Sequence, residues 1–206
     1  NPSDYNGFKM MQGKGSLHGE AIQRLRARIE GADFLSGEGS VSEDLIFDDY
    51  VSYVTGNIAL GSRPLKVVID GGNGTGGPAA VAILKRLGVE VVEKYIEMDG
   101  SFPNHHPDPT VAKNLQDLIA TVRETKADLG VAYDGDADRI GVVDERGEII
   151  WGDRLMILLS RAILAENPGA AIVSEVKCSR TLFDDIAAHG GRPTVSYTHL
   201  RAHETD

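Results

Sequence analysis

Cysteine is nearly absent. The chain has one, Cys178, among 206 residues. No disulfide framework can form within it, and a reducing compartment, the cytoplasm, is expected. Positive charge is in short supply as well. The 21 Lys and Arg are outnumbered by 31 Asp and Glu, which leaves a formal net charge of −10. A nucleic-acid backbone asks for clustered Lys and Arg, so this balance disfavours nucleic acid and suits a protein that uses cations. Long apolar runs are missing, and none approaches the length that spans a bilayer, so no membrane partner is expected. No signal peptide opens the chain. It starts NPSDYNGFKM rather than with Met, as if cut from something longer. No internal repeat is clear. What is present suffices for a packed core: hydrophobic residues make up 41% and charged residues 25%, enough for one large or two modest domains.

Punctuation and periodicity divide the chain. Residues 1–13 read as loop, 17–31 as an amphipathic helix stopped by Gly31, 36–42 as a linker, and 43–58 as a helix with acidic residues in its first turn. A short β-branched run at 66–70, a Gly-rich turn, a helix at 78–87 and a strand at 89–96 spell a βαβ unit. FPNHHPDPT (102–110) is a Pro-rich loop, and 111–126 is helical in period. LGVAY (129–133) reads as a buried strand, and IGVVDERGEII (140–150) as a hairpin. A helix at 153–166, a strand at 170–174 and a helix at 180–189 extend the alternation, which predicts an α/β fold with mixed sheets flanked by helices. Residues 191–193 promise one more strand. The run TVSYTHLRAHETD (194–206) has no apolar periodicity, and a non-native tail is expected there.

The sharpest signal is VAYDGDADRIGVV (131–143), where a buried strand ends in Asp134, Asp136 and Asp138. Three like charges within five residues repel, and Arg139 is the adjacent counter-charge. Carboxylates at i, i+2 and i+4 on a tight loop can converge on one hard cation such as Mg²⁺ or Ca²⁺, which relieves the repulsion. The bland alternative is a solvated acidic turn. An EF-hand count places acids at positions 1, 3 and 5 and Glu145 at position 12. It fails because Arg139 stands where the sharp turn needs glycine, and because the flanks read as strands. A phosphatase using the first aspartate of a D-x-D pair as nucleophile stays open, although that pattern usually has Thr or Val where Asp138 stands.

Two further constellations are weaker. Gly72, Gly74 and Gly77 satisfy G-x-G-x-x-G between a strand and a helix, with Glu93 near the place of a ribose-binding acid. Asp70 and Asn73 crowd that turn, and a negative charge there opposes a pyrophosphate, so a structural turn is expected. His105, His106 and Asp108 could be metal ligands. Adjacent histidines in an extended loop point apart, however, and no further spaced His or Cys completes a site.

Taken together, DGDADR (134–139), FPNHHPDPT, IDGGNGTGG, VKCSRTL (176–182) and the opening NPSDYNGFKM resemble the α-D-phosphohexomutase family, in its phosphomannomutase/phosphoglucomutase branch. The resemblance covers about residues 1–193. It implies four domains in the whole protein, with residues 1–44 closing the first, 45–148 forming the second, and 149–193 opening the third. It implies transfer of a phosphoryl group between O1 and O6 of a hexose phosphate by a phosphoserine, through a bisphosphorylated sugar. In that scheme Asp134, Asp136 and Asp138 hold Mg²⁺. Arg139 holds the sugar or its phosphate through its planar fork, or is a plain counter-charge. Lys9 is a general acid–base or electrostatic partner, or an exposed loop lysine. Lys177 lies near substrate, and Cys178 is a small buried residue. The serine would fall two residues before Asn1, so no mutase turnover is expected from these 206 residues alone. The parent would be a monomer or dimer. A non-catalytic cation-binding module and a dinucleotide-binding domain are the rival classes.

Overall fold

The computed structural model describes residues 7–196. Residues 1–6, and residues 197–206 of the expected tail, lie outside the described residues. The chain divides into two compact units, Asn1–Tyr50 and Val51–Asp206.

In the first unit, β1 (Met11–Gln12) and β2 (Gly15–Ser16) form a small antiparallel hairpin where the sequence predicted only loop. Then comes α1 (Glu20–Glu30), which ends at Gly31. This helix buries no residue, and its Arg26–Glu30 ion pair is a surface i,i+4 pair. Beyond it Phe34, Leu35, Val41, Leu45 and Ile46 are all exposed. The next helix, α2 (Phe47–Gly56), crosses the unit boundary and is shorter than the 43–58 predicted.

The second unit is built around β3 (Lys66–Asp70). After it come α3 (Gly76–Arg86) and β4 (Glu90–Lys94). A 3-10 turn (Ala112–Leu115) leads into α4 (Gln116–Thr125). The strands β5 (Leu129–Tyr133), β6 (Ile140–Asp144) and β7 (Ile149–Ile150) complete a five-stranded sheet of order β4-β3-β5-β6-β7. The β3 strand pairs in parallel with β4 and β5, while β5–β6 and β6–β7 are antiparallel, so the sheet is mixed.

The continuous apolar run of β3 follows from burial on both faces. Val67 and Ile69 pack with Ala80 and Val81 of α3. Val68, between them, packs the other way with Leu115, Leu118 and Val122. Gly130 of β5 lets α4 approach closely, since a Cβ there would lie 2.7 Å from side-chain carbons of Leu118 and Val122.

A second, smaller layer follows. It comprises α5 (Gly152–Glu166), β8 (Ala171–Glu175), α6 (Arg180–Ala188) and β9 (Arg192–Ser196). Here β8 and β9 pair in parallel over a core of Leu164, Ile172, Leu182 and Ile186. The strand β9 runs three residues further than predicted, so Thr194, Val195 and Ser196 pair with Val173, Ser174 and Glu175.

Candidate metal centre

Parallel strands deliver their carboxyl ends to the same edge of a sheet, and β3 and β5 are neighbours in register, with Asp70 opposite Ala132. The loops that follow them therefore emerge side by side. The aspartate loop is the hairpin connection from β5 to β6. It is closed by the Tyr133–Ile140 pair and by the Asp134 N–H donating to the Arg139 carbonyl at 3.3 Å. Ala137 turns the loop with φ +59°. One oxygen from each of Asp134, Asp136 and Asp138 lies within 4.8 Å of the other two. Asp134 is buried; Asp136 and Asp138 are exposed. Three hard oxygen donors at that spacing fit Mg²⁺ or Ca²⁺.

Asp134 is held from both sides by Arg139. The Arg139 backbone N–H donates to Oδ1 at 2.9 Å and its Nε donates to Oδ2 at 2.8 Å. Burial pushes the Asp134 carboxyl up, but the Arg139 backbone and guanidinium outweigh it and hold the group below the usual carboxylate range. The same guanidinium reaches out of the loop, where Nη1 donates to Asp108 Oδ1 at 3.0 Å. Asp108 is also held low, first by the Thr110 hydroxyl, against burial, with help from Arg139.

The Gly-rich turn supplies the bed for this loop. At Gly74 a Cβ would stand 2.8 Å from the Gly135 carbonyl oxygen, and at Gly76 it would stand 2.6 Å from the Ala137 Cβ. Thr75 N–H donates to the Gly135 carbonyl at 3.0 Å. The G-x-G-x-x-G match thus serves close packing of two loops, as the crowding at Asp70 and Asn73 suggested. Asn73, with φ +58°, ties in a third loop. Its Oδ1 accepts from Asn104 at 2.8 Å and its Nδ2 donates to the Glu97 carbonyl. The FPNHHPDPT loop sits over Gly72, where a Cβ would meet Pro107 at 3.0 Å.

His105 turns inward. Its Nε2 lies 3.0 and 3.2 Å from the carboxylate oxygens of Asp70, a fully buried residue, and Gly72 N–H donates to Asp70 Oδ1 at 2.9 Å. Burial pushes the Asp70 carboxyl up, opposed by Gly72 and His105. Tyr95 packs edge-on to the His105 ring and donates to Asp117 Oδ2 at 2.7 Å, which pushes the phenol up to about 12. His105 and Asp108 therefore engage Asp70 and Arg139, so neither is part of a His-rich metal site.

Two further predicted residues remain. Lys9 is exposed in the first unit, just before β1. Lys177 is exposed on the turn after β8 and pairs with Glu175 at 3.0 Å. Cys178 is half-buried and packs against the small core of α5, β8 and α6. The sequence reading missed the Asp70–His105 pair and the Asp108–Arg139 pair. The signal for both was a run of polar residues held by three prolines.

The family described as phosphoglucomutase/phosphomannomutase, alpha/beta/alpha domain II, matches residues 48–147. A phosphomannomutase/phosphoglucomutase of Pseudomonas aeruginosa is 48% identical over 195 residues, 95% of this chain and 42% of that protein. A phosphoglucomutase of Neisseria meningitidis is 48% identical over 200 residues, 96% of this chain and 43% of that protein. A crystal structure of a phosphoglucomutase/phosphomannomutase family protein from Burkholderia thailandensis superposes with TM-score 0.85 at 47% identity, covering 96% of this chain and 43% of that one. The chain spans about two-fifths of the length of the curated relatives it matches.

Proposed function

The chain belongs to the phosphoglucomutase/phosphomannomutase family, and on that premise we propose that it is the metal-bearing part of an enzyme that interconverts hexose 1-phosphates and hexose 6-phosphates of mannose or glucose. The observation that carries this reading is the convergence of the Asp134, Asp136 and Asp138 oxygens in a chain so close in sequence to named mutases. Mg²⁺ bound there would supply positive charge against the oxygens of a transferring phosphoryl group.

The chain's own residues would do the rest. Asp134, pinned by Arg139, fixes the loop. Arg139 spends Nε and Nη1 on Asp134 and Asp108, and its half-exposed guanidinium keeps further N–H groups for a sugar hydroxyl or phosphate. Lys9 is proposed as a general acid–base or electrostatic partner, and Lys177 as a contact on the substrate side. Residues 1–44 and 149–193 are proposed as parts of the flanking domains. The phosphoserine and the sugar-selecting parts are assigned outside these 206 residues, so no turnover is expected from them alone. The phosphatase reading fares worse, because its pattern usually has Thr or Val where Asp138 stands.

Titrating Mg²⁺ into the chain and into an Asp136→Asn variant, followed by calorimetry, tests the site. Affinity should fall by about tenfold or more in the variant, with the circular dichroism spectrum unchanged. Identical titrations for the two proteins would remove the metal site and the reading with it.

A further inference from the structure

A fully buried carboxylate needs partners, and those of Asp70 are unusual in what they fix. His105 Nδ1 lies 3.0 Å from the carbonyl oxygen of His106. A carbonyl only accepts, so Nδ1 carries its hydrogen. The close approach of Nε2 to Asp70 then requires a proton between them, as imidazolium with carboxylate or as imidazole with carboxylic acid. In both forms the link holds. It fastens the 102–110 loop to the end of β3, and Pro107, seated over Gly72, fills the gap beneath.

The next residue of that loop, Asp108, receives Arg139 Nη1 at 3.0 Å, and Arg139 Nε holds Asp134 at 2.8 Å. The His106 carbonyl that takes the His105 hydrogen also accepts the Asp108 N–H at 2.8 Å, which joins the two ends of the chain of contacts.

We propose that the Asp70–His105 pair is a latch that positions Arg139, by fixing residues 105–108 against the end of β3 so that Asp108 holds the guanidinium in register with Asp134. The use of Arg139 on a substrate or beside a metal rests on the mutase reading; the latch does not. His105 touches no reacting atom in this scheme and is a positioning residue.

The test follows the Arg139 Nε–H signal by ¹⁵N NMR in the 206-residue chain, assigned by its loss in Arg139→Lys. Mn²⁺ affinity is measured in parallel. His105→Ala should speed exchange of that proton by about tenfold, the equivalent of one hydrogen bond of ordinary net strength. It should also weaken Mn²⁺ binding severalfold. Asp108→Ala should do the same, and the double variant should be no worse than either single one, since both break one path. Asp70→Asn should behave as wild type, because its amide accepts from Gly72 and donates to a neutral Nε2. His106→Ala, which removes the neighbouring exposed ring, is the control and should change nothing. Where His105→Ala does not fold, Asp70→Asn/His105→Leu removes the latch without stranding a buried charge. Wild-type exchange at Arg139 in a folded latch-less variant overturns the proposal, and so does full additivity in the double variant. An absence of Mn²⁺ binding in the wild type would count against the metal reading alone, and Arg139 exchange would still decide the latch.

Discussion

Arg139 shows how one side chain resolves a local conflict. Three aspartates in five residues repel, and the guanidinium answers three carboxylates, Asp134 and, at 3.8 Å, Asp138 within the loop and Asp108 outside it. A second arginine does similar work away from the site. Arg161 of α5 grips Asp185 of α6 through Nε and Nη2, and His189 lies 3.4 Å from the same carboxylate. The Arg161 hydrogen bonds hold the Asp185 carboxyl below its ordinary value, against the opposing effect of burial. A carboxyl depressed in the folded state stabilises that state above the unfolded pKa, and the benefit drains away as pH falls through the folded value. The melting temperature of wild type should therefore exceed that of Asp185→Asn by a constant amount above about pH 5, and the gap should narrow as pH falls below about 4, where free Asp titrates, toward the lower folded value. A gap that stays constant to low pH would show that the carboxylate charge is not what ties α5 to α6.

At the scale of elements, the Gly-rich turn before α3 and the aspartate loop after β5 are one packed object. Gly76→Ala drives a methyl into the Ala137 Cβ. Overpacking of this kind costs about 1–3 kcal/mol and should displace the aspartate loop, lowering both urea midpoint and Mg²⁺ affinity. Adding Ala137→Gly removes the opposing methyl at a position that already has φ +59°, so the double variant should regain most of both losses. A double variant no better than Gly76→Ala would mean that the contact is not the cause.

The sequence showed these elements unevenly. The strands 66–70 and 129–133 were legible to the residue because burial on both faces makes them continuous apolar runs bounded by charge. The aspartate loop was legible as a connection because a run of charges between two apolar runs can continue neither strand. The start of α3 was placed two residues late, because Pro78 looked like a first helical residue and instead stands third in a helix opened by glycines. The loop-to-loop contacts at Gly74, Gly76, Asp70 and Asp108 join residues distant in sequence, and no local pattern encodes such a distance.

The whole molecule is uneven too. The first unit leaves α1 and a row of apolar side chains exposed, while the second encloses β3 between two hydrophobic layers. That division was only half visible in the sequence. The period of 17–31 predicts an amphipathic helix, and α1 forms with no buried residue, because periodicity reports the preference of a face and not its partner.

The β3 strand also sets the order of events. It meets β4 through a short crossover. Its junction with β5, by contrast, is sealed by Asp128 accepting from the Lys66 N–H, a contact 62 residues apart in sequence. Non-local pairings form more slowly, so closure over that span is expected to follow formation of the local unit. The aspartate loop hangs from the far end of β5, so in that order it would form only once this pairing is complete. A cation that binds there meets a finished sheet and has nothing to grip in the partly formed one. At a hundred times Kd it should slow unfolding of the second unit by roughly a hundredfold and leave its refolding rate unchanged. Stopped-flow traces with and without Mg²⁺ would show this, and a faster refolding limb would contradict it. An ion at the carboxyl end of β5 would therefore act as a brake on escape from the native state and give no push toward it.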